Sequence, residues 1–277
     1  MSTLVCFHAH PDDECLATGG TIARASAEGH RVVLVVATDG AHGEVPQDLD
    51  GEVPQDLEPG ETLVDRRAKE VAASAKVLGV ARLEMLGYKD SGMTGWSQNS
   101  DPGAFINADV EVAAQKLAKI LKEESADAVT IYDWHGNYGH PDHIAVYKVG
   151  MRAAEIAGTP NIFQMTTNRD AFRRMRDMAM KNPEIVSETQ GIGDFDPDAP
   201  ADDGNPMGEP ESVISHRVNV EKYCDQKKLA IACHRSQITD TSFFLNMSDD
   251  IFKLAFGTEY FIKVGESGPA RDRWLFE

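Results

Sequence analysis

Between residues 7 and 14 the chain reads FHAHPDDE, two histidines, two aspartates and a glutamate directly behind an apolar run. A second stretch, HGNYGHPDH at 135 to 143, has the same character. Together the two supply His8, His10, Asp12, Asp13, Glu14, His140, Asp142 and His143. Two imidazoles and a carboxylate with one position left for water are the ligand set of a catalytic zinc site. In His10-Pro-Asp-Asp13 a rigid turn lets two side chains point inward, and a histidine of the second stretch closes the set. Pro11 and Pro141 fix φ and stiffen the turns that aim these groups. Aspartates beside such a cation stay ionised, ready to accept a proton from water. A lone His-Asp pair more often marks a helix cap or a surface hydrogen bond. HPDD and HPDH, both at the ends of expected strands, point jointly to a metal, although spacing alone leaves open whether His140 or His143 binds it.

Chemistry of this kind needs strands to deliver it. Residues 3 to 9 (TLVCFHA), 31 to 40 (RVVLVVATDG), 82 to 88 (RLEMLGY), 128 to 133 (AVTIYD) and 161 to 167 (NIFQMTT) read as strands. The unbroken β-branched run at 31 to 40 suits a central parallel strand. Helices are expected over 14 to 28, from about 63 to 78 before Gly79, from about 108 to 124, after HGNYGHPDH to about 157, and within 219 to 237. Alternation of this kind predicts right-handed crossovers and a Rossmann-like α/β fold, an open, mostly parallel sheet with helices on both faces. In such sheets ligands collect at the carboxyl ends of the strands, where both histidine-rich stretches fall. Residues 188 to 212, rich in Gly, Pro and Asp, read as a long loop.

The chain has 277 residues, and no clean linker divides it. We expect one domain over 1–277, a Rossmann-like core at 1–170 carrying a C-terminal elaboration at 171–277. The hydrophobic fraction of 42% and charged fraction of 26% are those of an ordinary globular protein. No apolar run approaches the ~18 residues a membrane span requires, so we expect no membrane insertion and a cytoplasmic location. Cys6, Cys15, Cys224 and Cys233 form no CxxC and suit reduced, structural thiols. A net charge of −18 argues against a nucleic-acid partner. The composition suits a homo-oligomer, dimer or hexamer, without choosing one. GEVPQDLD at 43 to 50 is followed at once by GEVPQDLE at 51 to 58, a tandem octapeptide of the sort a surface loop tolerates.

HAHPDDE at 8 to 14, RRAKEVAASAKVLGV at 66 to 80, YKDSGM at 88 to 93 and YGHPDH at 138 to 143 carry a family resemblance. The chain resembles the zinc-dependent deacetylases similar to N-acetylglucosaminyl-phosphatidylinositol deacetylase, the PIG-L/LmbE-like family, and to the mycothiol-pathway deacetylases of actinobacteria. HRSQ at 234 and FGTEYF at 256 are weaker echoes. The resemblance implies one Zn2+ per chain, for which other divalent ions can substitute, held by His10, Asp13 and His143. It implies Asp12 as general base and His140 over the substrate carbonyl. A protonated His140, with Tyr138 as a second donor, suits stabilisation of the oxyanion, and Asp142 suits orienting His140 and keeping it cationic. Arg67 and Asp90 match positions that contact substrate hydroxyls; their bland alternatives are a solvated charge at a helix start and a residue shaping a turn.

His8 reads as a structural partner at the strand end, since a fourth ligand would leave no position for water. His30, His42 and His216 have no supporting neighbours and read as surface residues. Mycothiol conjugate amidases carry a lysine three residues beyond the HPDDE glutamate, where this chain has Ala17. The first reading is therefore a zinc hydrolase that removes an N-acetyl group from a small N-acylated amino-sugar-like substrate. The second is cleavage of a larger amide such as a mycothiol-type thiol-sugar conjugate. The third is a non-catalytic nucleotide-binding or Mg²⁺-binding α/β module, which lacks a GxGxxG after the first strand. Elemental analysis of the purified protein separates the classes: one zinc per chain is expected, and magnesium alone would favour the third.

Overall fold

A computed structural model describes residues 1–43, 60–181, 196–238, 242–266 and 268–277. Almost all of the tandem octapeptide and part of the 188 to 212 loop lie outside the described residues. The strands are β1 (Thr3–His8), β2 (Arg31–Thr38), β3 (Arg82–Tyr88), β4 (Ala128–Tyr132), β5 (Asn161–Thr166), β6 (His216–Asn219), β7 (Thr258–Lys263) and β8 (Arg271–Asp272). They form one open sheet in the order β3-β2-β1-β4-β5-β7-β6-β8. The first five are parallel, as expected; β7 runs antiparallel to both β5 and β6. Residues 31 to 38 are buried along nearly their whole length, which is why that strand reads as continuously apolar.

The helices comprise α1 (Asp13–Ala17), α2 (Gly19–Ala27), α3 (Leu63–Leu78), α4 (Val110–Glu123), α5 (Gly136–Gly139), α6 (Pro141–Ala157), α7 (Arg169–Met180) and α8 (Cys224–Ile231), with further short turns. From β1 the chain progresses to β2 and β3, then returns to lay β4 on the other side of β1. With right-handed crossovers, that reversal puts α2 and α3 on one face and α4 and α6 on the other. Accordingly α4 packs on α6, while α2 and α3 pack on α8. The reversal also makes the β1/β4 boundary the crevice where α/β sheets bind ligands. Leu4 sits opposite Ala128 and Cys6 opposite Thr130, so the two strands end side by side.

Three expectations are corrected. The helix expected over 14 to 28 is two helices broken at Thr18, whose hydroxyl is bound by His8 Nε2 at 2.8 Å. The break creates a buried helix start at Gly19, whose N–H groups on Gly20 and Thr21 each donate to the Glu259 carboxylate at 2.8 Å. Such free N–H groups and the helix dipole favour an anion. Gly20 is required because a Cβ there would lie 2.5 Å from Val220. The helix expected within 219 to 237 shrinks to Cys224–Ile231. Finally, His216 is buried on β6, bonded to Ser215 Oγ at 2.8 Å, and burial pushes its imidazole down to about 4. His30 is half-buried, its Nδ1 accepting from Ser2 N and its ring stacked on Phe276 at 4.3 Å. Strands β6, β7 and β8 and helix α7 lie outside the elements expected above, although α7 carries an apolar face with Ala171, Phe172 and Met175 at helical spacing.

All four cysteines are free, and among the described residues no helix is long and apolar enough to cross a membrane. Glu259 is held not only by α2 but by Lys227 of α8, Nζ to Oε1 2.7 Å, with both side chains buried. This pair fastens the C-terminal third to the first βα unit. Lys227→Met leaves the Glu259 carboxylate buried with its cation gone, at a cost of about 3–5 kcal/mol. Urea unfolding should show that loss, with partial recovery in the Lys227→Met, Glu259→Gln double variant; a loss under about 1 kcal/mol contradicts it.

Candidate active site

The loop after β1 and the loop after β4 meet over the β1/β4 boundary. Asp13 Oδ2 lies 3.3 Å from His10 Nδ1 and 3.4 Å from His143 Nε2. His143 stands in the first turn of α6, His10 just beyond β1, and Asp13 opens α1. His143 Nε2 is buried without a hydrogen-bond partner, whereas its Nδ1 faces the Gly136 carbonyl at 3.2 Å. The Tyr132 ring stacks on His143, centroids 4.0 Å apart. On His10 the outward nitrogen, Nε2, faces Asp142 Oδ2 at 3.2 Å and Asp90 Oδ1 at 3.7 Å.

This donor set fits a divalent cation. Ligands at ~2.0–2.2 Å in a tetrahedral shell stand about 3.4 Å from one another, close to the two separations found here. The orphaned nitrogen has the lone pair such an ion takes, and each ring's other nitrogen meets a carboxylate or carbonyl, the usual arrangement behind a metal-bound histidine. Burial opposes ionisation of Asp13, yet the His143 and His10 rings hold its carboxyl well below the usual range. His10, against burial, is raised well above its ordinary value by Asp13 and Asp142. The cluster is an anionic pocket stabilised by positive charge. Donor atoms of His10, His140 and His143, and of His10, Asp90, His140 and Asp142, gather within 4.8 Å of one another, but hydrogen bonds already occupy several of these: Asp142 accepts from Ser91 N, Asp90 from Gly92 N and His42 N, and His140 Nδ1 from Asp142 N.

Asp12 differs from its neighbour. Its backbone adopts φ 130°, a strained conformation for a non-glycine residue, and such strain concentrates at functional sites. Burial pushes its carboxyl up, with Arg67 pulling the other way. Adjacent carboxylates driven apart in this manner suit different roles. Arg67, on α3, is only 2% exposed, so the reading of a solvated charge fails. Its guanidinium reaches Asp12 Oδ2 at 3.0 Å and donates to the carbonyls of Pro11 at 2.6 Å and Gly40 at 2.7 Å. Arg67 therefore ties together the loops after β1 and β2, and these protein groups, rather than open space, surround it. Asp90 does shape a turn through Gly92 N, and it also borders His10. The backbone N–H of His42 donates to Asp90, so His42 belongs to the rim of the site and not to a remote surface.

Asp142 corrects an expectation. Its carboxylate turns away from His140 to Ser91 N at 2.9 Å and to His10; only its backbone N–H meets His140, at Nδ1. The reason is that His140 caps α6 while Asp142 occupies its first turn. Burial, together with the nearby His10 and His143, pushes His140 down to about 3, which favours the neutral imidazole, and because Nδ1 accepts from Asp142 N the proton belongs on Nε2. Tyr138 lies edge-on to His143, centroids 4.9 Å apart, and burial holds its phenol well above the ordinary value, protonated.

Several supports were missed. Glu14, fully buried, pairs with His234 at 2.8 Å and with Ser74 Oγ. Glu70 accepts from Ser236 N and Oγ. HRSQ was the one trace of these long-range contacts. The 196–212 loop clamps the second histidine loop, with Gly208 N on Asn137 O at 2.6 Å and Asp202 N on Tyr138 O at 3.1 Å.

Residues 5–154 match the family model described as GlcNAc-PI de-N-acetylase, PIG-L. The chain is 34% identical over 279 residues to 1D-myo-inositol 2-acetamido-2-deoxy-alpha-D-glucopyranoside deacetylase of Acidothermus cellulolyticus, covering 98% of this chain and 92% of that protein. The Nocardiopsis dassonvillei protein of the same name is 37% identical, over 92% and 91% of the two chains. Among solved structures, N,N'-diacetylchitobiose deacetylase from Pyrococcus horikoshii superposes with TM-score 0.50 at 26% identity, over 86% of this chain and 72% of that one. The A40926 pseudoaglycone deacetylase shares the fold at TM-score 0.60 and 15% identity, over 96% and 98%. With its motif-bearing half matched by the family model and its whole length by curated relatives, the chain belongs to the GlcNAc-PI de-N-acetylase (PIG-L) family.

Proposed function

We propose that this protein is a zinc-dependent hydrolase that removes the N-acetyl group from an N-acetylglucosamine-like amino sugar in a small glycoconjugate, with residues 1–277 acting as one catalytic unit. One observation carries the reading: a single carboxylate oxygen of Asp13 stands within 3.4 Å of imidazole nitrogens from both loops, with Asp12 beside it and outside that cluster. The names of the 34–37% identical relatives support the sugar class.

His10, Asp13 and His143 would hold the ion. When bound, zinc supplies a Lewis acid that lowers the pKa of water at the site and polarises the acyl carbonyl. Asp12, its carboxyl raised by burial and braced by Arg67, takes the proton of the attacking water. The new C–O bond forms first, turning the carbonyl oxygen into an oxyanion; the C–N bond then breaks as the proton passes by way of Asp12 to the departing amine, giving acetate and a free amino sugar. His140, through Nε2–H, and the Tyr138 hydroxyl are the donors for the oxyanion. Asp142 holds the far nitrogen of His10 and so fixes the ring that binds the ion. Asp90 and the neighbouring polar rim are the contacts for sugar hydroxyls.

Two outcomes follow. Asp12→Asn should lower kcat for acetate release by ~10²–10⁴-fold while zinc content stays at one per chain; a variant retaining wild-type kcat contradicts Asp12 as base. His143→Ala should release the zinc, and chelator-treated wild type should lose activity and regain it on zinc addition. Retention of stoichiometric zinc by His143→Ala contradicts the ligand set.

A further inference from the structure

A cavity of about 610 Å³ opens beside the ligand set, with Asp13, His143 and Tyr138 on its wall. Among the described residues the rest of its lining is mainly hydrocarbon and thioether, including Leu16, Met165, Met175, Met207, Leu254 and Ala255. The charged pair at its edge, Lys227 and Glu259, is mutually neutralised, and Glu259 also accepts the two α2 N–H groups. Some of the polar side chains on the wall are engaged elsewhere: Asn137 Oδ1 accepts from Thr167 N, the Thr166 hydroxyl donates to Asp133 and Asn168 Oδ1 accepts from Ala171 N, while the buried Asn168 Nδ2 has no partner. A sugar in this space would surrender the water around most of its hydroxyls for few partners, against a wall that is mainly carbon. Asp12, Arg67, Asp90 and His140 are absent from the lining; Asp90 and His140 stand against His10, and Arg67 holds Asp12.

An amide carbonyl at the ligand set has two substituents to place. The hydroxyl-bearing amine side suits the polar flank, which leaves the acyl side for the cavity. A volume of 610 Å³ lies within the ~300–1,000 Å³ of small-molecule sites and is far more than the single methyl of an acetyl group needs. We propose that this cavity is an acyl subsite that takes a linear aliphatic chain of about eight carbons, so that N-acyl amino sugars longer than N-acetyl are substrates. This rests on the hydrolase reading above and specifies its acyl group. Water adds to the acyl carbon, the C–N bond breaks, and the products are a medium-chain carboxylic acid and the same free amine.

The test is a series of N-acetyl-, N-butanoyl-, N-hexanoyl- and N-octanoylglucosamine assayed for amine release with the zinc-loaded protein. Burial of each methylene raises kcat/KM by up to about four-fold, and octanoyl over acetyl is expected to gain on the order of 100-fold. Alkyl glycosides of N-acetylglucosamine, with the same chains on the aglycone, should show no such gain. Ala255→Trp and, independently, Ala171→Trp, both on the cavity wall, narrow it; each should bring the octanoyl-to-acetyl ratio of kcat/KM down to about one. A flat or falling acyl series, or a gain confined to the alkyl glycosides, overturns the proposal. Octanoate titrated calorimetrically against the protein supplies a readout free of turnover: it should bind on the order of 100-fold tighter than acetate, and lose that advantage in Ala255→Trp. Octanoate binding without any amide hydrolysis would sink the hydrolase reading and leave the subsite standing; hydrolysis of N-acetyl substrates with no octanoate binding would do the reverse.

Discussion

One carboxylate oxygen of Asp13 sits between two imidazoles that arrive from different strands, and the rest of the site is arranged around keeping it there. The oxygen accepts from His10 N at 2.8 Å, which closes the turn after β1, and faces His143 Nε2 from the far side of the crevice at 3.4 Å. Neither loop makes this arrangement alone. It exists because β1 and β4 are hydrogen-bonded neighbours in register, the consequence of a chain that progresses one way to β3 and returns the other way. A rigid sheet thus delivers two short loops with the precision that metal-ligand geometry demands.

Around that centre the chain uses buried polar contacts as braces. Arg67 holds Asp12 and two loop carbonyls, Glu14 is gripped by His234 and Ser74, and Glu259 joins α2 to Lys227. Each brace links residues far apart in sequence, and several reach from the C-terminal third back to the first forty residues. Buried charges of this kind are costly unless paired, so their pairing specifies one arrangement of the loops. The division between a polar flank and an apolar cavity follows from the same scaffold: α7 and the helix Asp249–Phe256 supply much of the carbon wall.

Local pattern made much of this visible before any coordinates. The β-branched run at 31 to 38, the Gly79 end of α3 and the two proline-stiffened histidine loops are all short-range signals. Crossover handedness fixes the faces on which the helices lie but not the strand order, so the neighbouring placement of β1 and β4 is supplied by the fold itself. What stayed hidden depends on distant partners. The break at Thr18 needs His8 and Glu259; the burial of Arg67 needs the Pro11 and Gly40 carbonyls; the turn of Asp142 toward His10 needs Ser91. His216 resembled a surface residue because β6 is only four residues long and its burial comes from distant partners, β7 and Phe163 of β5. The neutral state of His140 could not be read at all, since it arises from burial and from two neighbouring rings.

The most direct test of the account is anomalous diffraction at the zinc edge from zinc-loaded crystals. A single peak bonded at ~2.0–2.2 Å to Asp13, to the His10 nitrogen that faces it and to His143 Nε2 is the predicted result. A peak held instead by Asp90, His140 and Asp142 with the opposite nitrogen of His10, or no peak at the β1/β4 crevice, would contradict it.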